Sequence, residues 1–459
     1  MGVTATDSGS RAHLPTGRLI AHSMINVAIV GAMVPIALYL PPIYAQHYGM
    51  SLYVLGAIFL SERIWGTFTD PLVGWLCDRT VSRHGRRKVW IAWGSALFAL
   101  SYAYLFFPLG HVSAVGLTVA LFVLFLSWSM IVVPYYAWSG ELSADYHERT
   151  RITTYQTVIA SVAQALILVL PALVDAWRPG DAVLKLNLLG LAVLLPMIPG
   201  TMLALASFPD TAPAPKRPPR RASWREIAAA VLAERTILRI MLADFAILFA
   251  QSIRGGLLVF YVTFVAGMPR LASSLFLFQF VFGIAAAPIW QRIARRTGKH
   301  RAVIAAELAQ FAINLCLVLV GAGNVALLLV LTMLQGLTQG SGNLLLRAML
   351  ADVADDYRLR TGQDRSALLF SVLSTSGKAG SAIPLGLALP LIAWFGFDPK
   401  LAVNPHGALL ALALTFALGP ALAHLAALLL IRRYPIDEAR QIEIRQALAR
   451  RDADEQPAP

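Results

Sequence analysis

Asp70 stands inside a long apolar run, 52–77, and shares a helical face with Arg63, Gly66, Thr67 and Gly74 at i−7, i−4, i−3 and i+4 spacing. Lys378 stands in the middle of a second run, 366–394, with Ser371, Ser374, Thr375 and Ser381 on its face. A charge at bilayer depth costs about 2.5–3.5 kcal/mol on insertion scales, so each such residue needs a reason. The chemistry open to this pair is reversible: a carboxylate of adjustable pKa takes up and releases a cation, and an ammonium compensates its charge. The plainer reading is an ion pair that locks two helices together.

Polar side chains recur in other apolar runs. Gln335, Gln339 and Asn343 form a stripe at i, i+4 and i+8. Trp128, Tyr135 and Tyr136 share one run, Tyr155, Gln156 and Gln164 the next, and Asp244, Gln251, Arg254 and Tyr261 a third. Amides both donate and accept, and aromatic rings offer a face to C–H groups, so such a set can hold a solute without a carboxylate. A single amide reads equally as an interhelical hydrogen bond worth about 0.6 kcal/mol, and a single aromatic as packing or an interface anchor. Glu307, Gln310 and Asn314 share a further face to which the sequence assigns no role.

The elements that must position these residues follow from composition. The chain has 459 residues, of which 57% are hydrophobic and only 14% charged, against about 25% charged in a soluble domain. Mean hydropathy is +0.64. At ~20 residues per span the length accommodates about twelve membrane helices. The runs predict spans at 20–45, 52–77, 89–108, 113–139, 152–175, 183–208, 236–266, 271–291, 302–322, 325–346, 366–394 and 405–431. Cys77 and Cys316 sit in or beside apolar runs, away from any redox or metal motif, and read as buried free thiols.

The net charge of +13 lies in short loops, without groove-reading motifs, which argues against nucleic acid. Arg79–Lys88, Arg292–Arg301, the central segment and the tail are rich in Arg and Lys, whereas Gln46–Ser51 and Pro108–Ser113 have neither. The positive-inside rule then places both termini in the cytoplasm. The expected divisions are a cytoplasmic segment 1–19, a six-helix half 20–208, a Pro- and Arg-rich loop 209–235 with a helix cap at Ser223, a second half 236–431 and a cytoplasmic tail 432–459. A weak repeat, Pro71–Thr80 against Pro288–Thr297, each followed by basic residues, supports a duplicated plan.

The run from Arg63 through Asp70, Gly74, Asp78 and Arg79 to Gly85, Arg86 and Arg87 resembles the loop signature of the major facilitator superfamily. More narrowly it resembles the glycoside–pentoside–hexuronide:cation symporters, the melibiose permease-like family. Two blocks agree: Asp352, Asp355, Thr361, Gly362, Arg365 and Lys378, and Pro134, Tyr135 and Tyr136 followed by Glu148, Arg149 and Thr150. The resemblance implies an all-α major facilitator fold and cation-coupled sugar symport by alternating access. It implies a cation site of Asp70, Thr69, Ser129 and Lys378. A substrate set of Arg63, Trp128, Tyr136, Gln156, Gln251, Gln339, Asn343 and Lys378 is expected, with a cytoplasmic gate of Arg149, Asp352, Asp355 and Arg365.

The chain departs from that family at Gly66 and Val132, where aspartates are expected, and at Gln156, where an arginine is expected. One carboxylate with hydroxyl neighbours suits a proton better than sodium. Lipid-like or exported cargo is the second reading. An enzyme is excluded by the lack of a convergent nucleophile or metal motif, a sensor by the lack of a signalling domain, and a channel by the lack of a filter sequence. No cofactor is expected. The expected setting is a bacterial cytoplasmic membrane, with a protein functional as a monomer.

Overall fold

The computed structural model describes residues 13–110, 112–143, 145–210, 234–362 and 366–454, except for the side chains of 63, 67, 146, 147, 341, 366–368, 371, 382 and 452–454. The central segment 211–233, with the cap expected at Ser223, lies outside the described residues. So does Arg365, and so do the side chains of Arg63, Thr67 and Ser371.

In lipid every backbone polar group must be satisfied within its own segment, so apolar runs of this length fold as helices. Among the described residues twelve long helical stretches follow in order: α1 Thr16–Gln46, α2 Leu52–Arg79, α3 Arg86–Phe106, α4 Ala114–Glu141, α5 Tyr146–Trp177, α6 Ala182–Ser207, α7 Arg235–Val265, α8 Pro269–Thr297, α9 Lys299–Leu319, α10 Val325–Thr361, α11 Ser366–Trp394 and α12 His406–Ile431. Ten are long and apolar enough to cross a membrane. The other two, α2 and α11, are 28 and 29 residues long and are the helices that carry Asp70 and Lys378. Each of the twelve predicted spans falls on one of these stretches. No strand occurs among the described residues.

At the poorly charged end four helices are opened by side-chain caps. Ser51, Ser113, Asp181 and Asn324 accept from the backbone N–H groups of Tyr53, Gly116, Leu184 and Leu327, satisfying donors that a helix start leaves free. Helices α1 and α7 each pass into a π-helical turn near this end, Pro35–Tyr39 and Tyr261–Val265. In α1 the cause is on the sequence, since Pro35, Pro41 and Pro42 cannot donate.

Helices α1–α6 pack chiefly among themselves, as do α7–α12. The two groups meet through α2 with α11, α5 with α8, and α1 with α7. The α2–α11 seam is tight near the poorly charged end. A Cβ at Gly56 would come within 2.6 Å of Pro390, and one at Gly386 within 2.6 Å of Leu60.

Two features differ from the sequence expectation. Helix α10 does not end near 346 but runs to Thr361, so Asp352 and Asp355 lie on a helix rather than a loop. It is also broken at Gln339 and Gly340, where Gly340 takes φ +85°. The tail forms a further helix, α13 Glu438–Asp454, which buries Ile444 and Leu448 against the basic end of α10.

Candidate transport site

Helix α2 delivers Asp70 to the seam between the two helix groups. One carboxylate oxygen accepts from Ser129 Oγ of α4, and the other accepts from Lys378 Nζ of α11. Thr69 Oγ1 lies 3.1 Å from Ser129 Oγ and 3.2 Å from the Gly66 carbonyl. The four residues expected to form a cation site are thus neighbours. The pair is only partly covered by protein, with Asp70 21% and Lys378 53% exposed. At Gly66 an added Cβ would meet nothing within 4 Å, and Val132 packs against the hydrophobic core. Neither position offers the cluster a second carboxylate.

A cavity of about 440 Å³ lies between α1 and α5 on one side and α7, α8 and α10 on the other. Its polar wall is Gln164, Gln251, Arg254, Gln279 and Gln339, and its apolar wall includes Val34, Leu38, Leu168, Phe276 and Phe280. The break in α10 turns Gln339 into this space. Gln339 Oε1 accepts from Arg254 Nη2 at 3.1 Å and also from Gln279 Nε2. Breaking a helix in a membrane frees carbonyls that need new donors; here Trp290 Nε1 donates to Leu337 O at 2.6 Å. Asn343 Nδ2 donates to Gln251 Oε1 at 3.4 Å, while Asn343 Oδ1 and Arg254 Nη1 are buried without a partner among the described residues. The cavity wall thus holds a donor in reserve at Arg254, and Asn343 stands behind Gln251 rather than in the lining.

Comparison with known proteins gives this geometry its setting. Residues 21–438 match the family described as MFS/sugar transport protein. The chain belongs to that family. It is a transporter of the major facilitator type, a multi-pass membrane protein that takes a small-molecule substrate, and not an enzyme. It is 26% identical over 422 residues to YagG of Escherichia coli (strain K12), whose name describes a candidate glycoside/cation symporter, covering 89% of this chain and 90% of that one. It is 22% identical to the sodium-dependent lysophosphatidylcholine symporter 1 of Xenopus tropicalis, over 89% of this chain and 83% of that one. Among solved structures the nucleoside transporter NupG superposes with a TM-score of 0.64 at 12% identity, covering 90% of this chain and 98% of that one. A bacterial homolog of the human lysosomal transporter Spinster gives 0.62 at 12% identity, covering 96% and 99%. At such identities the structural likeness speaks for the fold alone.

Within this major facilitator framework the remaining expected residues scatter. Gln156 is buried away from the cavity, donating to Tyr135 Oη at 3.0 Å and Ser139 Oγ at 2.8 Å, in a network with Asn26 and His22. Trp128 Nε1 points to the Ile29 carbonyl at 3.5 Å, and Tyr136 is half exposed beside Tyr135. The helix-10 stripe divides. Gln335 donates to Asn314 Oδ1 at 3.2 Å, inside a buried amide network with Gln310, whereas Gln339 faces the cavity. Glu307 accepts from or donates to His424 Nδ1 at 2.7 Å, also buried. Asp352 is held by Lys299 Nζ at 2.6 Å and Gln441 Nε2 at 2.5 Å, Asp355 is partly buried one turn on, and Arg149 Nε donates to Ser143 O at 2.7 Å. In this conformation Asp352 and Arg149 are therefore engaged within their own helix groups rather than with each other. The sequence reading missed Gln279, a lone amide among phenylalanines on α8; no repeat or charge marked it.

Proposed function

We propose that this transporter is a symporter that imports a sugar or glycoside with a coupling cation, a proton rather than sodium, by alternating access. The observation that carries the reading is the Asp70–Lys378 pair joining the two helix groups, which also enclose an amide-lined cavity between them. A carboxylate held by one ammonium and one hydroxyl can be neutralised by a proton without further ligands, whereas sodium favours several oxygens. Gln164, Gln251, Gln279, Gln339 and Arg254 would hold the hydroxyl groups of the cargo, with Asn343 supporting Gln251 from behind, and the apolar wall its C–H faces. The basic ends of the helices face the cytoplasm in this reading, in a bacterial inner membrane. The seam closed at Gly56 and Gly386 then lies on the outer side, with Lys378 reachable from within.

A second reading, an amphipathic solute, is favoured by the apolar wall of the same cavity and by relatives named as lysophosphatidylcholine symporters. Uptake of a labelled sugar panel by proteoliposomes under an imposed pH gradient, a sodium gradient or neither separates the readings. Accumulation of one sugar under the pH gradient, lost in Asp70→Asn, is the expected result. Accumulation in Asp70→Asn equal to that of the parent removes Asp70 from the mechanism, and no sugar uptake under any gradient moves the cargo to the amphipathic class. With the cargo in hand, Gln339→Ala should raise its half-saturating concentration about 5–10-fold, the worth of one hydrogen bond of about 1 kcal/mol or slightly more.

A further inference from the structure

Asp244 of α7 is a second carboxylate at membrane depth, outside both the Asp70 cluster and the cavity wall. It is 4% exposed, and no hydrogen bond or ion pair engages it among the described residues. The cation whose field reaches it is Arg347 of α10. On α12, the other long helix packed along α7, His424 is already engaged with Glu307 at 2.7 Å. A buried carboxylate left in this way needs a compensating charge at some stage of a working cycle.

The nearest helix supplies one. Helix α11 lies hard against α7 at this level. A Cβ at Gly380 would come within 2.7 Å of the Phe245 carbonyl, and Ser376 Oγ donates to Met241 O at 3.0 Å. A Cβ at Gly377 would lie 3.2 Å from Asp244 Oδ2. Asp244 therefore faces the α11 backbone at the residue preceding Lys378. Chain geometry puts its oxygen no more than about 8.5 Å from the Lys378 Cα. An extended lysine carries its ammonium about 6 Å from its own Cα, and a hydrogen bond of about 2.8 Å covers the rest. The lysine is half exposed and so has room to turn.

We propose that Asp244 is a second binding site for the Lys378 ammonium: when a cation or proton occupies Asp70, the lysine leaves it and pairs with Asp244. The inference rests on the cation-coupled reading of Asp70 given above. The exchange replaces an ion pair between the helix groups with one inside the second group. Loading Asp70 thereby unties α2 from α11 without stranding a charge. One lysine serves two carboxylates in turn, one on each side of the seam.

The test needs no cargo. Asp70→Asn stands in for the loaded carboxylate, and its structure, determined by electron cryomicroscopy, should show Lys378 Nζ within hydrogen-bond reach of Asp244. A lysine still directed at residue 70, or at open solvent, overturns the proposal. A thermal cycle on the purified full chain gives an independent reading. Asp244→Asn alone should leave the melting midpoint unchanged or raise it, because the lysine stays on Asp70 and an uncompensated buried charge is removed. In the Asp70→Asn background Asp244→Asn should lower it, because the lysine then loses its remaining partner. With Lys378→Met added to that background the loss should vanish. A shift for Asp244→Asn that is the same in the parent and in Asp70→Asn, or a loss that persists with methionine at 378, overturns the proposal. Should the Asp70→Asn, Asp244→Asn double variant fail to fold, folding restored by Lys378→Met supports the shared lysine, and no restoration rejects it. A wrong cargo class leaves all these outcomes standing, whereas an unmoved lysine with uptake lost in Asp70→Asn rejects the exchange and keeps the coupling.

Discussion

The two helix groups carry the same loop at their basic ends and finish it differently. In the first, Gly85 at φ +95° opens α3, and Arg86 and Arg87 reach Glu141 at the end of α4. In the second, Gly298 at φ +87° opens α9, and Lys299 reaches Asp352 on α10. Each loop is closed by residues that follow the sixth helix of its group. Asp210 accepts from the N–H groups of Arg87 and Lys88 at 2.7 and 3.3 Å, and Gln441 of α13 donates to Asp352. The first loop is the drier: the Arg87 side chain is 4% exposed and that of Lys299 31%. A bidentate arginine pair with its guanidinium buried has one good geometry, whereas a wetter lysine has several. A duplicated motif has become a fixed brace in one group and an adjustable tie in the other.

The comparison can be broken by substitution and thermal unfolding in detergent. Glu141→Ala should have the largest effect, about 2–3 kcal/mol, because it leaves two nearly buried guanidinium groups without their carboxylate, discounted for the partial exposure of the glutamate. Gly85→Ala should cost about 2 kcal/mol, since positive φ is joined by a Cβ only 2.6 Å from Asp210. Gly298→Ala, with nothing nearer than His300 at 3.8 Å, should cost about half as much. Lys299→Ala should cost about 1 kcal/mol, because Asp352 keeps Gln441. Gln441→Ala should cost about 0.5 kcal/mol and, if the second tie is adjustable, should alter transport rate more than melting. Equal losses for Glu141→Ala and Lys299→Ala would make the two loops equivalent.

Residues differ in how openly the sequence displays them. Asp70 and Lys378 are visible because a charge in an apolar run has no bland surface explanation, and the span positions follow from hydropathy alone. The break at Gln339 and Gly340 is not visible, because a glutamine and a glycine inside an apolar run are tolerated by an unbroken helix as well. Gln156 and Gln339 look alike as letters. Their separation into a buried network and a cavity wall depends on which hydroxyls and carbonyls neighbouring helices bring, and that is a property of packing. The tail helix went unseen for the opposite reason. Its buried apolar positions, Ile444 and Leu448, are few among charges, and only the face of α10 they cover makes sense of them.

The broken helix also has a mechanical side. Beyond Gly340 the segment Ser341–Thr361 is 21 residues long, a stiff arm of about 30 Å at 1.5 Å per residue. Its fulcrum is Gly340, directly beside the side chain that touches the cavity, and its load, at the far portion, is Asp352 and the docked tail. A swing of about 10° at the fulcrum carries the tip roughly 5 Å, so an adjustment of an ångström at Gln339 is geared up several-fold at the membrane surface.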